Sequence, residues 1–228
     1  MVDLCHFGED CAPEIIINHI LKQSDKQLFM LGIYPLNNIL TYLNDCNYER
    51  IYDKEQLVII PETCNLVEHK EYKLAFNHDY KIVNSQINNY ELVRDRFDLK
   101  IKNFREMMLR EKLCVFILFT KNLDSLKITD ALEWLSLNKK HFHLMIFTSN
   151  VHTTVVDSKL CSIINLKNKY DKWYRMENET KIALYQEVYD EFISCLTRNS
   201  IQHEFPQMFS DTEYQIHLTT TAQLTNLG

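Results

Sequence analysis

Two nearly unbroken apolar runs, Leu113 to Phe119 and Phe142 to Phe147, constrain the fold more than anything else in the chain. A strand with one wet face alternates apolar and polar residues, so runs without alternation need cover on both faces. A helical stretch around Thr129 to Leu137 lies between them, and a helical crossover is what parallel neighbours require. Cys161 to Leu166 reads as a further buried strand and Val2 to Phe7 as a short first one. Val2 to Phe7, Leu113 to Phe119 and Phe142 to Phe147 are therefore expected side by side in one sheet, mostly parallel.

Helical spacing fills the intervals. Asn89 to Arg110 sets Val93, Phe97, Ile101, Phe104 and Met108 on one face, with Arg94, Arg96, Lys100 and Lys102 mostly elsewhere. Thr180 to Leu196 uses Ile182, Tyr185, Val188, Tyr189, Phe192 and Leu196 in the same way, and Pro35 to Leu43 uses Leu36, Ile39, Leu40 and Leu43. Leu57 to Ile60 and Tyr72 to Phe76 read as short strands. Alternating strand and helix predicts an α/β fold, a three-layer sandwich with a mostly parallel central sheet and flanking amphipathic helices. Residues 1–198 read as a single α/β domain. Residues 199–228 read as a Ser/Thr/Gln-rich extension whose end, Thr219 to Gly228, is a loose tail.

At 228 residues the chain can bury a substantial core without a metal or disulfide staple. Its net charge of -6 comes from 31 acidic and 25 basic residues spread along the sequence, so no basic block offers a nucleic-acid surface. No apolar run reaches the ~18 residues of a membrane span. His6, Glu9 and Asp10 interrupt the apolar start, which argues against a signal peptide. These features predict no membrane association and a cytoplasmic, intracellular location. The 7 cysteines, odd in number and irregular in spacing, fit reduced thiols. With only 3 glycines the chain has no phosphate-cradling loop, which excludes a P-loop or dinucleotide fingerprint. Plentiful Asn, Ile, Lys and Tyr reflect an AT-rich genome of the kind many large DNA viruses carry.

Chemistry centres on Cys11. The Gly8-Glu9-Asp10 turn ends the first strand, Asp10 can cap a helix with Pro13 in its first turn, and Ile16, Ile17, Ile20 and Leu21 mark its apolar face. A thiol in a first turn sees unpaired backbone N–H groups and the positive helix end, which favour the thiolate. Glu9 and Asp10 push the other way, and a buried inert thiol is the plain structural alternative. A nucleophilic thiolate needs an imidazole base and an orienting group. His78 closes a short strand between Asn77 and Asp79, groups of the types that orient such a ring, and is the candidate base. His6 and His19 bracket Cys11 and stand in reserve. His141 and His143 alternate around Phe142, so both are expected on one face of a strand. No third ligand is spaced to join them, and neither a metal nor another cofactor is expected.

Three segments carry a resemblance. Phe7-Gly8-Glu9-Asp10-Cys11 resembles the hydrophobic–Gly–x–Asn/Asp–Cys opening of a family described as papain-like cysteine peptidases of bacteria and large DNA viruses. Leu74-Ala75-Phe76-Asn77-His78-Asp79 is similar to its hydrophobic–His–Asp segment. Tyr90 to Phe104, with Arg94, Asp95, Arg96 and Phe97 ahead of Cys114 to Phe119, is similar to its Tyr…Arg–x–Arg-Phe helix and following strand. Together these cover roughly residues 2–150. The resemblance implies a thiol protease with Cys11 as nucleophile and His78 as base; Asp79 or Asn77 is expected to orient the ring, Asp79 as the third catalytic group, and Asn77 and Arg96 are expected beside the substrate. Where family members have Pro-Phe-Asp-Trp, this chain has Leu28-Phe29-Met30-Leu31-Gly32; if that Asp assists catalysis, the copy here is inactive. Papain-like enzymes also place the histidine on an antiparallel barrel, whereas the residues here predict parallel strands.

Two functions are thus expected. One is a cysteine hydrolase acting on a protein or peptide. The other is a catalytically silent viral protein that binds another protein, in the host cell, through its aromatic C-terminal part (Trp173, Tyr174, Tyr185, Tyr189, Phe205, Phe209, Tyr214). A third, sugar or phosphate chemistry through Arg94 and Arg96, lacks a phosphate loop.

Overall fold

The structure, a computed structural model, describes residues 3–8, 27–29, 32–61, 66–76, 78–120, 125–149, 160–167 and 176–198. The chain begins with β1 (Asp3–Gly8), β2 (Gly32–Ile33), α1 (Leu36–Asp45), two 3-10 turns (Tyr48–Tyr52 and Lys54–Gln56), β3 (Leu57–Ile60), β4 (Leu66–His69) and β5 (Ala75–Phe76). A hairpin of β6 (Ile82–Val83) and β7 (Gln86–Ile87) leads into α2 (Tyr90–Leu109). Then come β8 (Cys114–Thr120), α3 (Ser125–Asn138), β9 (Phe142–Thr148), β10 (Cys161–Asn165) and α4 (Asn178–Arg198). The helix expected after Asp10 and the extension after residue 198 lie outside the described residues.

The apolar runs do form neighbouring strands. β1, β8, β9 and β10 make one sheet in that order, every pair parallel, with Leu4 opposite Val115 and Val115 opposite His143. All seven residues of β8 and of β9 are buried. Alternation divides each strand between two apolar clusters. Phe7, Phe116, Leu118, Leu144 and Ile146 belong to one, with Phe97, Ile101 and Phe104 of α2 and Ala131 and Leu135 of α3. Val115, Ile117, Phe119, Met145 and Phe147 belong to the other, with Leu184, Val188 and Phe192 of α4. Each such side chain contributes about 1.5–3 kcal/mol on burial, so helices on both faces are what these strands need. Among the described residues, no helix is long and apolar enough to cross a membrane.

A second sheet, antiparallel and ordered β2-β5-β4-β3, was not expected. It also corrects the strand assigned to Tyr72–Phe76. Lys70 to Tyr72 form a turn, Lys73 takes a left-handed φ of 54°, and its N–H donates to the His69 carbonyl at 2.8 Å. Only Ala75 and Phe76 are extended. The turn is held from inside: the Tyr72 ring stacks on His69 at 4.3 Å, and its hydroxyl donates to the Asp45 carboxylate at the end of α1. Arg50 pairs with Asp45 at 2.7 Å and also with Glu71. His69 Nδ1 accepts the Tyr72 N–H at 3.2 Å, so the ring proton sits on Nε2, which donates to the Arg50 carbonyl at 2.9 Å. Burial holds that imidazole below its ordinary pKa.

Glycine scarcity has a cost. Left-handed backbone falls on Cys46, Lys73, Asn84 and Ser85, none of them glycine. Asn84 and Ser85, at φ 51° and 59°, form the two-residue turn of the β6–β7 hairpin, where type I′ geometry favours Asn-Gly. Ser85→Gly is therefore expected to raise the unfolding free energy in urea by about 1 kcal/mol. An unchanged or lower midpoint would mean that the turn carries no strain.

Candidate active site

All four strands of the parallel sheet end at one edge. Thr120 stands opposite Thr148, and Thr148 opposite Asn165, forming a last polar row beyond Leu118, Ile146 and Ile163. Both threonines are buried, and the Asn165 Oδ1 is buried without a hydrogen-bond partner among the described residues. Open parallel sheets bind ligands in the crevice beyond such carboxyl ends. Gly8 closes β1 at this edge, so Cys11 follows three residues beyond it. Cys11 and Asn77 lie outside the described residues.

The Gly8 carbonyl accepts the N–H of Tyr34 at 2.8 Å, which ties the end of β1 to the second sheet. Tyr34 is fully buried and its ring lies on Gly32, where an added Cβ would meet the ring at 2.1 Å. Only glycine fits beneath that ring. Gly32 pairs with Phe76, whose ring is 6.0 Å from Tyr34. Two residues past Phe76 stands His78.

The His78 side chain is exposed and makes no hydrogen bond to a described residue. Asp79 is 3 % exposed, with its carboxylate turned inward so that Oδ1 is 3.7 Å from Lys100 Nζ, while Oδ2 has no partner. Burial raises the Asp79 pKa, against the opposing pull of Lys100, Arg96 and His78. The Asp79 carbonyl is fastened twice, by Asn89 Nδ2 at 2.9 Å and by Arg96 Nη2 at 3.2 Å. Thus His78, Asp79 and Arg96 do come together, with Asp79 anchoring the loop to α2 and no hydrogen bond joining it to the imidazole. Arg94 points away into pairs with Glu91 at 2.5 Å and Asp95 at 3.1 Å, so the two arginines do not act jointly.

This chain matches no family model, and no curated protein or solved structure is similar to it.

Lys100 is the residue that sequence reasoning missed. It was assigned mostly to the polar side of its helix, yet it is 6 % exposed. Its signal is its spacing: Val93, Phe97, Lys100 and Phe104 recur at +4, +3 and +4, which puts the lysine inside the apolar stripe. A cation there requires a buried counter-charge, and its ammonium also lies 4.8 Å from the Phe97 ring. Tyr80, beside Asp79, is likewise buried with an unpartnered hydroxyl.

The other histidines separate. His141 is exposed and precedes the strand, whereas His143 is 0 % exposed within it, so the two do not share a face as expected. The strand begins at Phe142, as expected, and His141 stands one residue before it. His143 Nε2 lies 3.1 Å from Ser162 Oγ and 3.7 Å from Cys195 Sγ, a buried polar knot joining β9, β10 and α4. His6 is buried, and burial pushes it down to about 4 against the opposing pull of the Phe29 backbone. Among the described residues, no group of three His, Cys, Asp or Glu could hold a metal ion.

Proposed function

We propose that the chain is a cysteine hydrolase whose site lies where the carboxyl edge of the parallel sheet meets the end of β5. The Gly8–Tyr34 hydrogen bond carries this reading, because it fixes the origin of the Cys11 segment beside the Tyr34–Phe76 contact from which the His78 loop departs. Three residues of extended chain span at most about 10 Å, enough to bring a thiol from Gly8 toward that loop. His78 follows a strand of an antiparallel sheet, in keeping with the residue order of the resemblance. In this reading His78 takes the Cys11 proton, the thiolate adds to an acyl carbon, and the protonated imidazole returns the proton to the leaving group. Water then attacks the thioester, with His78 again as base, releasing the acid and restoring the thiol. Asp79 serves as a positioning residue through the fastening of its loop, and Arg96 stands beside the substrate path.

Thiol reactivity tests the proposal. Cys5, Cys114, Cys161 and Cys195 are buried, and burial raises the first two thiols well above the ordinary range, so Cys46 is the exposed reference. With iodoacetamide at pH 7, Cys11 is expected to react faster than Cys46, and His78→Ala to slow Cys11 alone by about tenfold or more. Cys11→Ser should abolish both the labelling and any hydrolysis. If Cys11 reacts no faster than Cys46, or is indifferent to His78, the interaction-protein reading replaces this one.

A further inference from the structure

A groove of about 450 Å³ opens between α1 and α3, away from the residues considered above. One wall is α1, with Leu40 and Asn44; the other is α3, with Asp130, Glu133, Trp134 and Leu137. The wall of α1 runs from Asn37 to Asn44, about 10 Å of helix axis, the length of three or four extended residues. Its chemistry is unbalanced. Neither the Asp130 nor the Glu133 carboxylate has an ion-pair or hydrogen-bond partner among the described residues, although Lys127 stands on the same wall. Elsewhere Asp45, Glu49, Glu68, Glu91 and Glu111 are each paired with a cation.

The second observation is Trp134. It is 7 % exposed, so its ring is a fixed part of the core, yet it lines the groove and its indole N–H has no acceptor among the described residues. A buried indole and two unpaired carboxylates lining one groove are a combination that suits a planar cation: an aromatic ring attracts the charge, and carboxylates take forked hydrogen bonds. A guanidinium suits both demands better than an ammonium, being planar and more weakly hydrated. The indole N–H then remains to donate to a carbonyl of the segment that carries the cation.

We propose that the α1–α3 groove is a docking site for a short partner segment presenting an arginine, bound by Asp130 and Glu133 beside the Trp134 ring. The exposed Leu137, 79 % accessible at one end, supplies apolar contact for a neighbouring residue of that segment. The proposal is independent of the hydrolase reading, since no residue is shared.

The test uses the full chain labelled with 15N and the probe acetyl-Leu-Arg-Ala-amide. With 2 tryptophans in the chain, Trp173→Phe assigns the Trp134 indole signal. The arginine peptide is expected to shift that signal saturably, and the citrulline peptide, of equal shape without charge, to bind at least about tenfold more weakly. Asp130→Asn with Glu133→Gln should weaken the arginine peptide by a similar factor, while Glu111→Gln with Glu177→Gln, the same change in net charge elsewhere, should leave it within about twofold. An unmoved indole signal, equal binding of citrulline, or equal loss in the charge-matched control each overturns the proposal. Equal loss would show non-specific attraction to an acidic protein.

Discussion

Lys100→Met is expected to lower the unfolding free energy by about 3 kcal/mol at pH 7, because it takes the ion-pair partner from the buried Asp79 carboxylate and leaves only the weaker pull of Arg96 and His78. Asp79→Asn combined with Lys100→Met should recover most of that loss, to within about 1 kcal/mol of the parent, since neither charge then needs a partner. The pH dependence follows from the raised Asp79 pKa. A carboxyl that holds its proton more tightly when folded contributes fully below its unfolded pKa of about 3.9 and loses that contribution as pH rises through the folded value. Removing Lys100 takes away the largest force opposing the shift. The deficit of the single variant should therefore shrink as pH falls from 7 toward 5. Urea unfolding of the four proteins of the cycle at both pH values measures this, and a Lys100→Met protein as stable as its parent would show that the pair is solvated.

Phe29→Ala should cost about 4 kcal/mol, near the upper end for a core aromatic. Phe29 is 1 % exposed and meets Phe7 of β1 at 5.5 Å, and Tyr34, Tyr42 of α1 and Phe104 of α2 each at 6.0 Å, all near edge-to-face. Such pairs add about 0.5–1.5 kcal/mol each beyond area burial. The ring joins the parallel sheet to the elements that carry the second sheet, so little around it can collapse into the space. Phe29→Leu, which keeps most of the volume, should cost roughly half as much. A loss below about 1 kcal/mol for the alanine variant, read from its urea midpoint, would show that the pieces close over the gap.

What was legible in the sequence was what its own periodicity encodes. Val115, Ile117 and Phe119 on one face of β8, with Phe116 and Leu118 on the other, leave no solvent face, and that fact alone predicts helices on both sides. The second sheet was hidden because β2 and β5 are two residues each, too short for a period to register, and their pairing depends on Tyr34 and Tyr72 being buried by distant elements. Lys139 shows the same limit. It reads as a loop cation but is 3 % exposed and donates to the Met107 and Arg110 carbonyls at 2.7 and 2.6 Å, capping α2 from the far end of α3. At the candidate site, His78, Asp79 and Arg96 are expected from motif alone, whereas the inward turn of Asp79 follows from Lys100, seven residues after Val93 on the apolar stripe.

The place of β1 in its sheet sets the order in which the molecule assembles. β8, β9 and β10 each pair with the next strand along the chain among the described residues, so their contacts span short sequence separations. β1 pairs with β8 from Asp3 opposite Cys114, half the chain away, and its docking must offset a far larger loss of loop entropy. A chain made from its N-terminus reaches β8 before β9 and β10, so the β1–β8 pair can form while the rest of the sheet is still missing. Until β8 emerges, Phe7 has the cover of Phe29, but the edge of β1 that meets β8 stays unpaired.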